Sequence, residues 1–152
     1  DAGADTIYIW EGVPSTSDNP VYSLPNLTNL GRIDMNDTHL AIGCYPGGSS
    51  FKVLELSTLS SPSYQTVPGQ DCPSEVSFND KGFFIPGNDN IIGWNSVTDA
   101  LAGSSPTMSF GGRTDKSNMG TKMAAGIGWD GYHFWVGEYK FSNRLLGFAP
   151  SK

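Results

Sequence analysis

Three ten-residue segments decide the fold: IDMNDTHLAI at residues 33–42, VSFNDKGFFI at 76–85 and IGWDGYHFWV at 127–136. They align without gaps, and each has a β-branched residue at its first and last positions, Met or an aromatic residue at its third, and Asn or Asp at its fourth. Asn, Asp and Gly tolerate the positive φ that tight hairpin turns require. Each segment is therefore predicted to be a β-hairpin, repeated three times along the chain.

The second strand of each predicted hairpin is apolar on both faces, at residues 40–42, 83–85 and 134–136. This pattern predicts strands that are covered on both sides. Further strand-like segments rich in Ile, Leu and Trp occur at 7–10, 51–54, 91–94 and 145–148. A last set begins with proline, at 20–24, 62–66 and 106–110, where proline costs no ladder hydrogen bond.

With each proline-led strand placed before the next hairpin, the chain contains three units of four antiparallel strands. Four-stranded units that repeat every ~40–50 residues are typical of β-propeller blades. We therefore predict an all-β fold with three propeller blades and one extra N-terminal strand, in a single domain over residues 1–152. The blades are expected at about 20–56, 62–96 and 106–149, with the leading strand at 6–11. A β-sandwich of irregular strands is the alternative.

Two stretches resemble the repeats of NHL-type β-propellers: residues 89–97 (DNIIGWNSV) and residues 130–148, which end in NRLLGF. In that family an Asn-x-Arg-type loop leads into the outer strand, and Asn143 and Arg144 match part of this motif. The first blade departs from the pattern around Ser50. The resemblance implies a binding platform, or, in a minority of relatives such as gluconolactonase-like and amidating-lyase-like enzymes, a metal in the central channel.

The charge balance excludes one class of partner. Lys and Arg number 9 against 15 Asp and Glu, which gives a net charge of -6. Such a chain has no electrostatic basis for holding phosphates, so nucleic acid is not expected as a partner. No run approaches the ~18 apolar residues of a membrane span.

Three blades and a leading strand fall short of the about four to eight blades with which propellers close. The leading strand is therefore expected to complete a blade supplied from elsewhere. The expected partners are further blades of a longer chain or of a homo-oligomer, and two copies giving six blades is one version. Uncovered edge strands would otherwise favour aggregation.

Cys44 and Cys72 are the only cysteines. The predicted blades bring them to the same rim of adjacent blades, so we predict a disulfide that stabilises by about 3–4 kcal/mol. A disulfide is typical of an oxidising compartment, which favours an extracellular or cell-surface location. Two buried free thiols in a cytosolic protein are the alternative.

Candidate binding residues are expected on one rim of the blades. Exposed aromatic and polar residues on rigidly mounted loops suit protein or glycan recognition. The candidates are Tyr45, Asn88, Asp89, Arg113, Glu138, Tyr139 and Lys140. An ordinary solvated rim is the alternative. The tryptophans at repeat positions are instead predicted to lie in the core between blades, namely Trp10, Trp94, Trp129 and Trp135.

Asn26 and Asn36 each begin a glycosylation sequon. Asn36 is also predicted as a turn residue. His39 and His133 occupy equivalent positions in the first and third hairpins, with Gly82 at the position between, which does not favour a shared metal. No cofactor is expected; calcium is considered for the Asn and Asp residues of the hairpins, with residues 88–90 as the best candidate loop.

The sequence contains no Gly-x-Ser-x-Gly motif and no plausible Cys/His pair, so neither pattern of nucleophilic catalysis is present. The leading hypothesis is a non-enzymatic extracellular propeller portion that serves as a binding platform or as a structural subunit of a surface assembly. The alternatives are a portion of a metal-dependent propeller hydrolase or lyase, and a lectin-like carbohydrate-binding propeller.

Overall fold

The computed structural model describes residues 6–25, 27, 30–44, 51–70, 75–86, 91–110, 124–138 and 145–148. The strands of this part of the chain are β1 (Ile7–Ile9), β2 (Tyr22–Leu24), β3 (Leu30–Met35), β4 (His39–Cys44), β5 (Lys52–Glu55), β6 (Tyr64–Gln65), β7 (Ser77–Asn79), β8 (Gly82–Pro86), β9 (Ile91–Trp94), β10 (Met108–Phe110), β11 (Ala124–Trp129), β12 (Phe134–Glu138) and β13 (Leu145–Phe148). The described helical segments are short: a 3-10 turn at Leu56–Thr58 and α1 at Val97–Leu101. The predicted all-β fold is confirmed.

The described strands form four antiparallel sheets, in which each strand pairs with its neighbours along the chain. Sheet 1 contains β1 and β2, sheet 2 contains β3 to β6, sheet 3 contains β7 to β10, and sheet 4 contains β11 to β13. Sheets 2 and 3 are thus the blade-like units of four antiparallel strands that the repeat predicted.

The three predicted hairpins are β3–β4, β7–β8 and β11–β12. In each, the side-chain oxygen at the fourth repeat position accepts hydrogen bonds from backbone N–H groups of the turn. Asn36 Oδ1 accepts from the N–H groups of Thr38 and His39, at 2.9 and 2.8 Å. Asn79 Oδ1 and Asp130 Oδ1 accept corresponding bonds of 2.7 to 2.8 Å. The turn prediction is confirmed, because these are the bonds by which Asn and Asp favour turns.

The proline-led strands pair differently from the prediction. β2, β6 and β10 pair with β1, β5 and β9, the strands before them. Each is therefore the last strand of one sheet and not the first strand of the next. The predicted blade boundaries at 20–56, 62–96 and 106–149 are shifted accordingly, since sheets 2, 3 and 4 run over 30–65, 77–110 and 124–148. The predicted leading strand is joined by β2 to form a two-stranded sheet.

Local helical turns account for this pairing. The 3-10 turn lies between β5 and β6, and α1 lies between β9 and β10. Each reverses the chain, so that the following strand pairs with the strand before the turn. Ser96 caps α1 by accepting a hydrogen bond from the backbone N–H of Asp99 at 3.1 Å. In the part of the chain that the structure describes, no helix is long and apolar enough to cross a bilayer.

Buried apolar layers lie between consecutive sheets. The layer between sheets 1 and 2 contains Ile7, Leu24, Leu27, Leu30, Leu40, Ile42 and Leu54. The layer between sheets 2 and 3 includes Ala41, Cys44, Val53, Val76, Phe83, Ile85 and Trp94. The layer between sheets 3 and 4 contains Phe84, Ile91, Phe110, Phe134 and Val136. Each large side chain that is fully buried contributes about 1.5–3 kcal/mol, so these layers hold the stack together.

The first strands of sheets 2, 3 and 4 lie side by side, with β7 in contact with both β3 and β11. The backbone N–H of Phe78 donates a hydrogen bond of 2.7 Å to Asp34 Oδ2, which joins sheet 3 to sheet 2. Trp129 Nε1 donates one of 3.0 Å to Asp80 Oδ1, which joins sheet 4 to sheet 3. We call β3, β7 and β11 the inner strands. This side-by-side order of the first strands fits blade-like sheets.

Candidate functional site

The outward side of sheet 1, away from sheet 2, is apolar and open. Ile7 and Leu24 point into the layer against sheet 2. By strand alternation Tyr8 points the other way, where it is exposed and its ring centroid lies 5.9 Å from that of Trp10. The Trp10 ring is held by a hydrogen bond from its Nε1 to the Asp18 carbonyl oxygen, at 3.1 Å. We call this surface, which comprises Tyr8, Trp10, Val21 and Ser23, the N-terminal face.

The outward side of sheet 4 is also open, and Trp135 dominates it. Trp135 is 38% exposed, and its register partners on the two neighbouring strands are Gly128 and Gly147. Because these residues have no side chains, the ring lies over Gly147, where a Cβ would be only 3.2 Å from it. Leu145 on the adjoining strand is exposed. We call the surface formed by Gly128, Trp135, Leu145 and Gly147 the C-terminal face.

A hydrogen-bonded carboxylate holds the aromatic residues beside the C-terminal face. Asp130 accepts bonds from the backbone N–H groups of His133 and Tyr132 and, at 2.7 Å, from Trp135 Nε1. These bonds, led by that of His133, hold the pKa of Asp130 well below its usual range. The ring centroid of His133 lies 4.6 Å from that of Tyr132 and 5.7 Å from that of Trp135. Asp130 therefore fixes an exposed aromatic cluster in one arrangement.

Glu75, two residues before the start of β7, is a buried carboxyl group that the sequence did not single out. It is 5% exposed, and Arg32 Nε lies 3.6 Å from its Oε1. Burial raises the pKa of Glu75 to about 7, against the opposing effect of Arg32. A carboxyl group with such a pKa can take up or release a proton near neutral pH.

We expect Glu75 to make stability fall between pH 4.5 and 8. Since its pKa is higher in the folded than in the unfolded state, its contribution is fully present below pH 4.5 and is lost as pH rises through 7. The loss should reach about 3 kcal/mol. Urea unfolding across this range should show the slope for the wild type and its loss for Glu75→Gln. Glu55→Gln, at an exposed position, should keep the wild-type slope; equal slopes in all three proteins would contradict the assignment.

Most of the predicted rim residues lie outside the described residues: Tyr45, Asn88, Asp89, Arg113, Tyr139 and Lys140. Glu138 is the last residue of β12. The calcium loop at 88–90 and the sequon residue Asn26 also lie outside the described part. These assignments stay predictions. Asn36 is exposed and serves as a turn residue, as predicted.

Only one of the two cysteines of the predicted disulfide lies in the described part of the chain. Cys44 ends β4 and is buried in the layer between sheets 2 and 3. Among the residues that the structure describes, no cysteine is a free thiol. Cys72 lies outside them, so the pairing of Cys44 with Cys72 stays a prediction.

The two histidines lie in separate hairpin turns. His39 Nδ1 is 2.8 Å from Thr38 Oγ1 at the start of β4, and His133 Nδ1 is 3.3 Å from Asp130 Oδ2 before β12. Within the described ranges, no group of three or more His, Cys, Asp or Glu side chains is placed to hold a metal ion.

The tryptophan predictions divide between interior and surface. Trp94 is fully buried between sheets 2 and 3, as predicted. Trp129 packs against the layer between sheets 3 and 4. Trp135 is 38% exposed on the outward side of sheet 4, the last described sheet of the stack, so its place in a core between blades stays a prediction.

No protein-family model, no curated protein and no solved structure matches this chain. The resemblance to NHL-type repeats therefore stays a prediction, and the function has to be argued from the geometry of the chain itself.

Proposed function

We propose that this chain is a non-enzymatic, extracellular portion of an NHL-type β-propeller that acts as a binding platform or as a structural subunit of a surface assembly. The observation that carries the proposal is the pair of open apolar faces at the two ends of the sheet stack. Between the faces, every pair of consecutive sheets buries an apolar layer. Large apolar residues also stand exposed at both ends of the described stack, with Tyr8 and Val21 at one end and Trp135 and Leu145 at the other, which is typical of interaction surfaces.

The two faces suit contact with further sheets. The N-terminal face offers the paired rings of Tyr8 and Trp10. The C-terminal face offers the Trp135 ring, which lies over Gly147, and beside it the exposed Leu145. Stacking of aromatic rings on such a surface repeats the chemistry of the layer between sheets 3 and 4, where Phe84 and Phe134 lie 4.6 Å apart. Partner sheets from other chains would extend the stack toward a closed propeller.

The extracellular location is proposed from the cysteines. A Cys44–Cys72 disulfide would tie the end of β4 to the segment before sheet 3, at a burial site where Cys44 is already packed. It would stabilise the fold by about 3–4 kcal/mol. Thiol alkylation of the unfolded, unreduced protein should label neither cysteine, and labelling of both would contradict the proposal.

The mass of the particle in solution tests the assembly. We expect analytical ultracentrifugation of the purified chain to give a dimer or a larger particle, in place of a 16.3 kDa monomer. Tyr8→Lys and Leu145→Lys place a charge on one open face each, at residues that are already exposed, and should return the particle to a monomer. Val13→Lys is the matched control, because Val13 is exposed on the connection between β1 and β2. A wild-type monomer at every concentration would overturn the proposal.

A further inference from the structure

Among the described residues sheet 1 has two strands, against four in sheets 2 and 3, and the positions without a counterpart can be identified. β2 follows a proline, as do β6 and β10, which are the fourth strands of sheets 2 and 3. β1 therefore corresponds to the third strands, β5 and β9. Within the described residues sheet 1 has no counterpart of the first two strands, which form the hairpins β3–β4 and β7–β8. β1 pairs with β2 along one edge and has no second strand partner in that part of the chain.

The first repeat position shows what those missing strands would cover. It is occupied by Ile33 in β3, by Val76 directly before β7 and by Ile127 in β11. Val76 is 4% exposed in the layer between sheets 2 and 3, and Ile127 packs against the layer between sheets 3 and 4. Ile33, in contrast, is 51% exposed. All three are β-branched residues at the same repeat position, and the difference is that, in the described part of the chain, no inner strand of sheet 1 lies over Ile33.

The third repeat position repeats this contrast independently. Phe78 packs against the layer between sheets 2 and 3, with its ring centroid 5.0 Å from that of Phe83. Trp129 packs against the layer between sheets 3 and 4. Met35, the equivalent residue of sheet 2, is 60% exposed. Two large apolar side chains of β3 are thus uncovered on the side that faces sheet 1.

The uncovered surface formed by Ile33 and Met35, which we call the opening, is continuous with an existing interface. Leu40 and Ile42, the register partners of Met35 and Ile33 on β4, are buried in the layer against sheet 1. The uncovered area is therefore confined to β3. Strands in a sheet are ~4.8 Å apart, so a hairpin added beyond β1 would extend sheet 1 by ~10 Å toward the inner strands.

We propose that this opening is the docking site for an apolar β-hairpin of a partner chain. β1 lies along its edge, and Ile33 and Met35 line it. The hairpin adds to the edge of β1 by main-chain hydrogen bonds and supplies the first two strands of sheet 1. The proposal rests on the propeller-portion part of the proposed function.

The internal sheets specify the chemistry of the partner hairpin. The side of a hairpin that faces the next sheet carries Ala41 in sheet 2 and Phe84 in sheet 3. The opposite side of the sheet 3 hairpin is also apolar, with Phe83 and Ile85 buried. The partner hairpin is therefore apolar on both sides of its second strand and has an Asn or Asp turn, as the three hairpins of this chain have.

A peptide with the sequence of residues 75–86, cyclised through an added terminal disulfide, serves as the probe. Cyclisation is needed because an isolated hairpin is marginally stable in water. We expect fluorescence polarisation to show saturable binding of the labelled peptide to the full chain. Ile33→Asp and Met35→Asp should each weaken binding at least tenfold, since both put a charge against the apolar hairpin. Val13→Asp is the matched control and should leave binding unchanged.

The outcomes separate this site from the proposed assembly. A peptide that does not bind, or that binds the Ile33→Asp and Met35→Asp variants as tightly as the wild type, overturns the docking site even if the chain forms large particles through its open faces. If the wild-type chain stays a monomer but binds the peptide specifically, the docking site is supported and the proposed assembly is contradicted. A particle whose mass falls to that of a monomer on Ile33→Asp shows a second copy in the opening and overturns the assignment to a partner hairpin.

Discussion

Gly82→Ala is expected to lower the free energy of unfolding by about 4 kcal/mol. Gly82 is the first residue of β8 and has φ +147, a value that residues with a Cβ rarely adopt. A Cβ at this position would also lie 2.0 Å from the carbonyl oxygen of Trp94. Trp94 is fully buried in β9, so the carbonyl cannot retreat without disturbing the layer between sheets 2 and 3. Backbone strain of about 1–3 kcal/mol and a similar cost of overpacking therefore add.

Equilibrium urea unfolding of Gly82→Ala and Gly128→Ala measures this effect against a matched control. Gly128 also lies in a strand of the repeat, but a Cβ there would meet no atom within 4 Å. Gly128→Ala should therefore change stability by less than about 1 kcal/mol. A similar loss in both variants would show that the close approach of the Trp94 carbonyl is not the cause.

Turn chemistry made the hairpins predictable from the sequence. Asn36, Asn79 and Asp130 act through side-chain bonds to backbone N–H groups within three residues, so the information needed is local. The alternation of apolar residues then indicates which strands are covered on both sides, as β4 is by sheets 1 and 3. These local signals suffice for the all-β class and for the four-stranded units.

Local sequence does not determine which strand a proline-led strand pairs with, and this part of the prediction was wrong. A strand that repeats between two others can pair with either, and periodicity does not distinguish the two. The α1 turn between β9 and β10 decides the matter for sheet 3. Its signal is present in the sequence, since Ser96 and Asp99 have the spacing of a helix N-cap.

The candidate surfaces were only partly predictable for a related reason. Trp94 and Trp135 follow the same logic of an aromatic residue in a repeated strand, and yet one is buried and the other stands on an open face. Glu75 likewise differs from an exposed glutamate only through the sheets packed around it. A single sequence shows residue types and spacing but not which side of the last sheet lacks a neighbour.

Phe84→Ala is expected to lower the free energy of unfolding by about 3–5 kcal/mol. Phe84 is fully buried in β8, and its ring centroid lies 4.6 Å from that of Phe134 and 5.7 Å from that of Phe110. Removing the ring leaves a cavity in the aromatic layer between sheets 3 and 4, beside the rings of Phe110 and Phe134. Phe78→Ala is the matched control, because Phe78 is only half-buried and should cost clearly less in the same urea unfolding experiment.

Gly93 provides a second test of the same contact, because the Phe84 ring lies where its side chain would be. A Cβ on Gly93 would be 2.3 Å from two atoms of that ring. Gly93→Ala alone should therefore cost about 1–3 kcal/mol by overpacking. In the Phe84→Ala background the added methyl group enters the cavity, so the same change should cost nothing or restore some stability. A double-mutant cycle measures this coupling, and strictly additive losses would mean that the Phe84 ring does not pack on the backbone of Gly93.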